Sequence, residues 1–148
     1  MSSKTPIGYI NIRVFAHATE DPDKVLISVK NILPLELRED LKFKKNQLTG
    51  YYKNPILLYT TRLADKSVLL QTLRYISDHL TSLDKEELTD KIKIHLEKKN
   101  LYLRFDKQLA YGSTLKFSAK DPIHLKIHFK NKTTREIIEL CKELGLVL

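Results

Sequence analysis

The chain has 148 residues, enough for one domain with a real core, and 42% hydrophobic with 30% charged residues is a globular rather than a disordered composition. No apolar run approaches the roughly 20 residues of a membrane span, Met1 to Pro6 lacks the apolar core of a signal peptide, and a single Cys141 excludes an internal disulfide or a Cys-rich zinc site. The net charge of +8 is segregated: Leu41 to Ala64 and Arg104 to Arg135 carry +11 between them, which leaves −3 for everything else. A polyanion-binding surface needs such an excess, and solubility alone does not. The expected location is the cytoplasm.

Ile10, Ile12, Val14, Ala16 and Ala18 alternate with Asn11, Arg13, Phe15, His17 and Thr19, the period-two pattern of a half-buried strand. Asp21-Pro22 then predicts an N-cap and a first helical residue. Val25, Val29, Ile32 and Leu33 give that helix its apolar stripe, and it ends before Pro34. Leu41 to Leu48 alternates again, Thr49-Gly50 reads as a turn, and Ile56 to Leu63 follows Pro55. Together these predict a hairpin.

Asp65 is the expected cap of the next helix, whose stripe is Leu69, Leu73, Ile76 and Leu80. Ser82 to Asp84 reads as a break. Leu88, Ile92 and Leu96 predict a further helix that ends near Asn100. Leu101, Leu103 and Phe105 form a strand row, and Ile123, Leu125, Ile127 and Phe129 give the clearest strand in the chain. Thr133 or Thr134 opens a last helix with Ile137, Ile138, Cys141 and Leu144 inside. The predicted fold is α+β in two layers, residues 1–148 as a single domain, with order β-α-β-β-α-α-β-β-α. Each strand has one apolar and one polar face, so the sheet is mainly antiparallel with helices packed on one face only.

The same alternation assigns side chains to the open face. Asn11, Arg13 and His17 come from the first strand, and Tyr102, Arg104 and Asp106 from the fourth. His124, Lys126, His128 and Lys130 come from the last strand, and Lys42 and Lys44 join them from the hairpin. Lys and Arg neutralise phosphates and release counterions, while Tyr, His and guanidinium groups stack on unpaired bases. Such a face suits single-stranded or looped RNA.

Catalytic patterns are missing from the sequence. The four glycines are isolated rather than gathered in a phosphate loop. Cys141 lies on an apolar stripe, as a core residue does. His124 and His128 stand four residues apart on a strand, about 13 Å between Cα atoms, so no metal is expected there. Glu20, Asp21 and Asp23 suit a helix N-terminus. Asp106 is expected to pair with a basic neighbour, Arg104 or Lys107. An enzymatic use of the Asp106-Lys107 region would call for a deep pocket there.

Three segments carry a family resemblance: Leu101-Tyr-Leu-Arg-Phe-Asp-Lys-Gln108 with Ala110 and Gly112, Ala18-Thr19-Glu20-Asp21, and Gly50-Tyr51-Tyr52-Lys53-Asn54-Pro55-Ile56. Over roughly Ile10 to Phe129 the chain resembles the archaeal RNA-binding family also described as predicted exosome subunits. The resemblance implies a fold similar to the large-subunit ribosomal protein that binds 5S RNA. It departs from the pattern at Lys53, where Gly is usual, and in the short spacing from Gln108 to Gly112. It also implies that Asn54, Arg104, Lys107 and Gln108 are candidate RNA contacts, with Asp106 as a support; basic Lys53 beside Asn54 is a further candidate contact. The expected function is non-catalytic RNA binding in RNA processing, exosome-associated degradation or ribosome assembly. No cofactor is expected. The alternative is a protein-interaction module that docks on RNA-processing complex subunits and touches RNA little.

Overall fold

The computed structural model describes residues 6–130 and 132–148; the polar stretch before Pro6 lies outside them. Alternating residues build the strands. β1 (Ile7–Ala16) buries Ile10, Ile12, Val14 and Ala16 on one side. After α1 (Pro22–Asn31) and a 3-10 turn over Leu35–Asp40 come β2 (Lys44–Thr49) and β3 (Pro55–Leu63). Three helices follow: α2 (Lys66–His79), α3 (Ser82–Asp90) and α4 (Ile92–His95). The chain continues through β4 (Leu96–Glu97), β5 (Asn100–Phe105), α5 (Lys107–Tyr111), β6 (Ile123–Phe129) and α6 (Thr134–Glu143).

The six strands form one sheet in the order β2-β3-β1-β6-β5-β4, with every neighbouring pair antiparallel. Ile12, Leu125 and Leu103 stand side by side across the central strands and are essentially inaccessible, as are Ile10, Ile127 and Leu101 in the next row. This row packs with Val29, Leu69, Leu73, Ile76, Leu88 and Ile137 of the helices in one core. Burying each such side chain contributes about 1.5–3 kcal/mol. Residues at the intervening strand positions stay at least partly exposed, so the helices cover one side of the sheet.

Local signals set the helix ends. The Asp21 side chain accepts from the backbone N–H of Asp23, ahead of Pro22 at the first helical position. Asp65 accepts from Ser67 and Val68, and Thr133 and Glu136 form a reciprocal capping box. Gly145 ends α6 at φ 79°, with the Leu146 N–H returning to the Cys141 carbonyl. Cys141 is fully buried, and burial pushes its thiol up to about 12.

Three expectations need correction. Ser82–Asp84 is not a break: it is the first turn of α3, capped by Thr81. The helix expected to run through Leu96 to near Asn100 instead breaks at Lys91 into α3 and α4 and ends at His95, and Leu96 joins the sheet opposite Leu101. Lys98, at φ 57°, makes the tight reversal. The local 3.6-residue spacing of Leu88, Ile92 and Leu96 yields here to pairing at the edge of the sheet. Among the described residues Asp106 pairs with no cation; its carboxylate caps α5 by accepting from the Leu109 N–H at 2.8 Å.

Candidate nucleic-acid interface

Antiparallel pairing converts the alternation into rows that cross the uncovered face. One row reads Lys44, Thr60, Arg13, His124, Arg104 from β2 to β5. The next reads Arg62, Asn11, Lys126, Tyr102. Adjacent rows lie two residues apart along each strand, about 6.8 Å. No carboxylate occupies an outward position of β1, β2, β3, β5 or β6; Glu97, at the β4 edge, is the nearest in register. Five strand cations, Lys44, Arg13, Arg62, Arg104 and Lys126, therefore share a face with no opposing charge on those strands. Its centre is a shallow groove of about 930 Å³ that Lys42 also lines.

Contacts between side chains hold this face in shape. The Arg62 Nε donates to Asn11 Oδ1 at 2.7 Å, and its guanidinium lies 4.1 Å from the centre of the Tyr9 ring. Tyr9 stacks on His128 with centroids 4.8 Å apart, and Lys126 Nζ lies 5.7 Å from the same ring. His128 Nδ1 sits 2.9 Å from Asn100 Oδ1. A register shift between Ile7 and Tyr9 places Gly8 against this stack; a Cβ there would lie 2.9 Å from the His128 ring.

The two face histidines are both held below their ordinary value. Burial holds His124 below its ordinary 6.5, and Arg13 and Arg104 on either side push the same way. Burial also lowers His128, with Lys126, Lys99 and Arg62 adding to the effect. These rings supply planar surface, while the Lys and Arg side chains supply charge.

Arg13, Lys42, Lys44, Tyr102, Arg104, His124, Lys126 and His128 meet on this face. Lys130 follows β6 beside Gly8. The other candidates lie elsewhere. Lys53 and Asn54 are in the β2–β3 turn, where the Asn54 carbonyl accepts from the Gly50 N–H at 2.8 Å. Gln108 is exposed on α5 beside Thr19, Asp21, Lys24 and Tyr111. His17 lies beyond the end of β1, and its Nε2 is 3.1 Å from Asp121.

Lys107 is 6% exposed. Its ammonium donates to the Phe15 carbonyl at 2.8 Å, to Glu20 at 2.9 Å and to Asp121 at 2.7 Å. All three of its protons are thus used, and it ties the end of β1 to α5 and to the loop before β6. Oxygen and nitrogen donors of His17, Glu20 and Asp121 cluster within 4.8 Å of one another, and the cation among them is this ammonium.

Tyr9, Phe15, Thr60 and Arg62 also belong to the face, although charge and motif did not single them out. Once the pairing is known, the alternation in β1 and β3 identifies them.

A family model described as RNA binding matches residues 9–129. The chain is 34% identical to RNA-binding protein PAB1135 of Pyrococcus abyssi, over 88% of this chain and 86% of that one. It is 32% identical to the uncharacterized protein MJ0213 of Methanocaldococcus jannaschii, over 93% and 95% of the two chains. Its fold is that of the DUF54 protein AF2318 from Archaeglobus fulgidus, with TM-score 0.79 at 22% identity, covering 93% of this chain and 99% of the other. Mth689, a DUF54 protein from Methanothermobacter thermautotrophicus, superposes with TM-score 0.77 at 23% identity and covers 93% and 97%.

Proposed function

This chain belongs to the RNA-binding family, and we propose that it binds RNA on the open face of its sheet and catalyses no reaction of its own. The observation that carries this reading is the pair of cross-strand rows, Lys44–Arg13–Arg104 and Arg62–Lys126, on strands with no outward carboxylate. Five cations so arranged attract a phosphate backbone, and Tyr102 and His124 between them offer planar surfaces to bases. Lys42, Lys130 and His128 extend the surface at its margins, and Lys53, Asn54 and Gln108 are more distant contacts for a longer RNA. Lys107 and Asp106 act as supports, because both are committed to bonds within the protein.

The relative named an RNA-binding protein supports the reading. One continuous sheet over one core supports a single domain. Among the described residues no helix is long and apolar enough to cross a membrane. We place the protein in the cytoplasm, working in RNA processing, exosome-linked degradation or ribosome assembly, with subunits of those complexes as its partners. This finer role rests on the resemblance alone, and co-purification of tagged protein with such subunits tests it. RNA binding is tested by a filter-binding titration at several salt concentrations. With about five phosphates engaged, log affinity should fall with log salt at a slope of roughly −3.5 for a single strand. No binding at low salt would overturn the reading.

A further inference from the structure

The basic rows end in an apolar corner. Phe15 follows Arg13 at the next outward position of β1, and Leu58 and Asn46 are its register neighbours across β3 and β2. Leu48 and Ile56 pair beyond them. Val14 and Ala16, on either side of Phe15, are buried beneath the sheet, so Phe15 faces away from the helices. Phe15, Ile56 and Leu58 are partly exposed and stand apart from the apolar side chains packed on the core. Leu48 is 43% exposed. An aromatic ring and three aliphatic side chains on the uncovered face have no structural task in the core.

We infer that Phe15 is a base-stacking residue, and that the face is built for unpaired RNA, which lays its backbone on the Arg13 row and a base on the Phe15–Leu58 corner. The inference rests on the RNA-binding reading above and deepens it. Two arguments choose this occupant. The corner is continuous with a cationic row on strands that bear no outward carboxylate, which favours a polyanion over a neutral peptide. The spacing between rows, about 6.8 Å, is of the order of one nucleotide of an extended strand. Tyr102, His124 and Phe15 thus stand on successive rows, one planar group per row. A duplex hides its base faces and gains nothing from such a surface.

The test is fluorescence anisotropy with three labelled RNAs: a U10 decamer, an abasic decamer with the same backbone, and a ten-base-pair hairpin stem. Phe15→Ala should weaken U10 by at least about five-fold, the lower end for loss of one stacked base, with the salt slope unchanged. Phe15→Tyr should restore the affinity, which separates stacking from a folding defect. Phe15→Ala should leave the abasic decamer bound as by the wild type. If Phe15→Ala binds U10 normally while Arg104→Glu with Lys126→Glu abolishes binding, the stacking inference falls and the RNA-binding reading stands. The inference also falls if the stem binds as tightly as U10. If none of the three RNAs binds the wild type, both fall.

Discussion

The ammonium of Lys107 lies 2.7 Å from the carboxylate of Asp121, fourteen residues further along the chain, and 2.9 Å from Glu20. One buried cation thereby joins the segments Thr19-Glu20-Asp21 and Asp106-Lys107-Gln108, which local reading treats as separate motifs. Removing it takes the ammonium away from two carboxylates and the Phe15 carbonyl, and leaves Glu20 and Asp121 with His17 as their remaining partner. Lys107→Met should destabilise the protein by roughly 2–4 kcal/mol, below the cost of a fully buried pair because Asp121 is 40% exposed. Urea denaturation measures this; a loss under 1 kcal/mol would mean that the cluster is solvated.

Arg104 is exposed, and Lys126 is partly so. Changing both to Glu should abolish RNA binding and keep the melting temperature near that of the wild type. Reversing two charges in an otherwise acid-free region repels phosphate without opening the core. Circular dichroism melts beside the binding titration decide the matter: unfolding would make these residues structural.

The lowered face histidines predict a pH response. Native His124 and His128 bind protons less readily than in the unfolded chain, so the unfolded state takes up more protons as pH falls below 6.5. Their contribution to stability is complete above that value and is lost as pH drops through the lowered native values. Phosphate bound beside His124 favours its protonated form, so RNA affinity should rise over the same window. His124→Asn should remove most of that rise. Anisotropy between pH 7.5 and 5 checks it, and an equal rise in the variant would exclude His124.

Lys53 sits at φ 62° in the left-handed region, beside Tyr52 at φ 56°. A left-handed φ suits Gly, which has no Cβ to clash there. A Lys there costs roughly 1 kcal/mol or more; Gly removes that cost, and the larger chain entropy that Gly loses on folding offsets part of the gain. Lys53→Gly should leave stability unchanged or raise the melting temperature by about 2 °C. A clear drop in differential scanning fluorimetry would show that the Lys53 side chain stabilises the turn.

Much of this protein is legible locally. Ile10 to Ala16 and Ile123 to Phe129 announce strands with one wet face because side chains alternate. Asp21-Pro22, Asp65 and Thr133 announce helix starts because their side chains cap nearby N–H groups. Arg13, Tyr102, Arg104 and Lys126 could be placed on the open face by parity alone. Failures came where a distant partner overrode a local preference. Leu96 left its helix pattern for an edge pairing with Leu101, and Lys107 left the surface for Glu20 and Asp121.

By itself, then, the sequence determined which residues alternate, where helices begin, and that positive charge is concentrated in two segments. These are properties of spacing and of neighbours a few residues away. Only the tertiary structure decided that β3 lies between β2 and β1, and β6 between β1 and β5. That order lines up Lys44, Arg13 and Arg104 in one row and places Arg62, Tyr9 and Phe15 on the same face. Strand order depends on long-range pairing and shared core burial, and no local pattern along the chain encodes either.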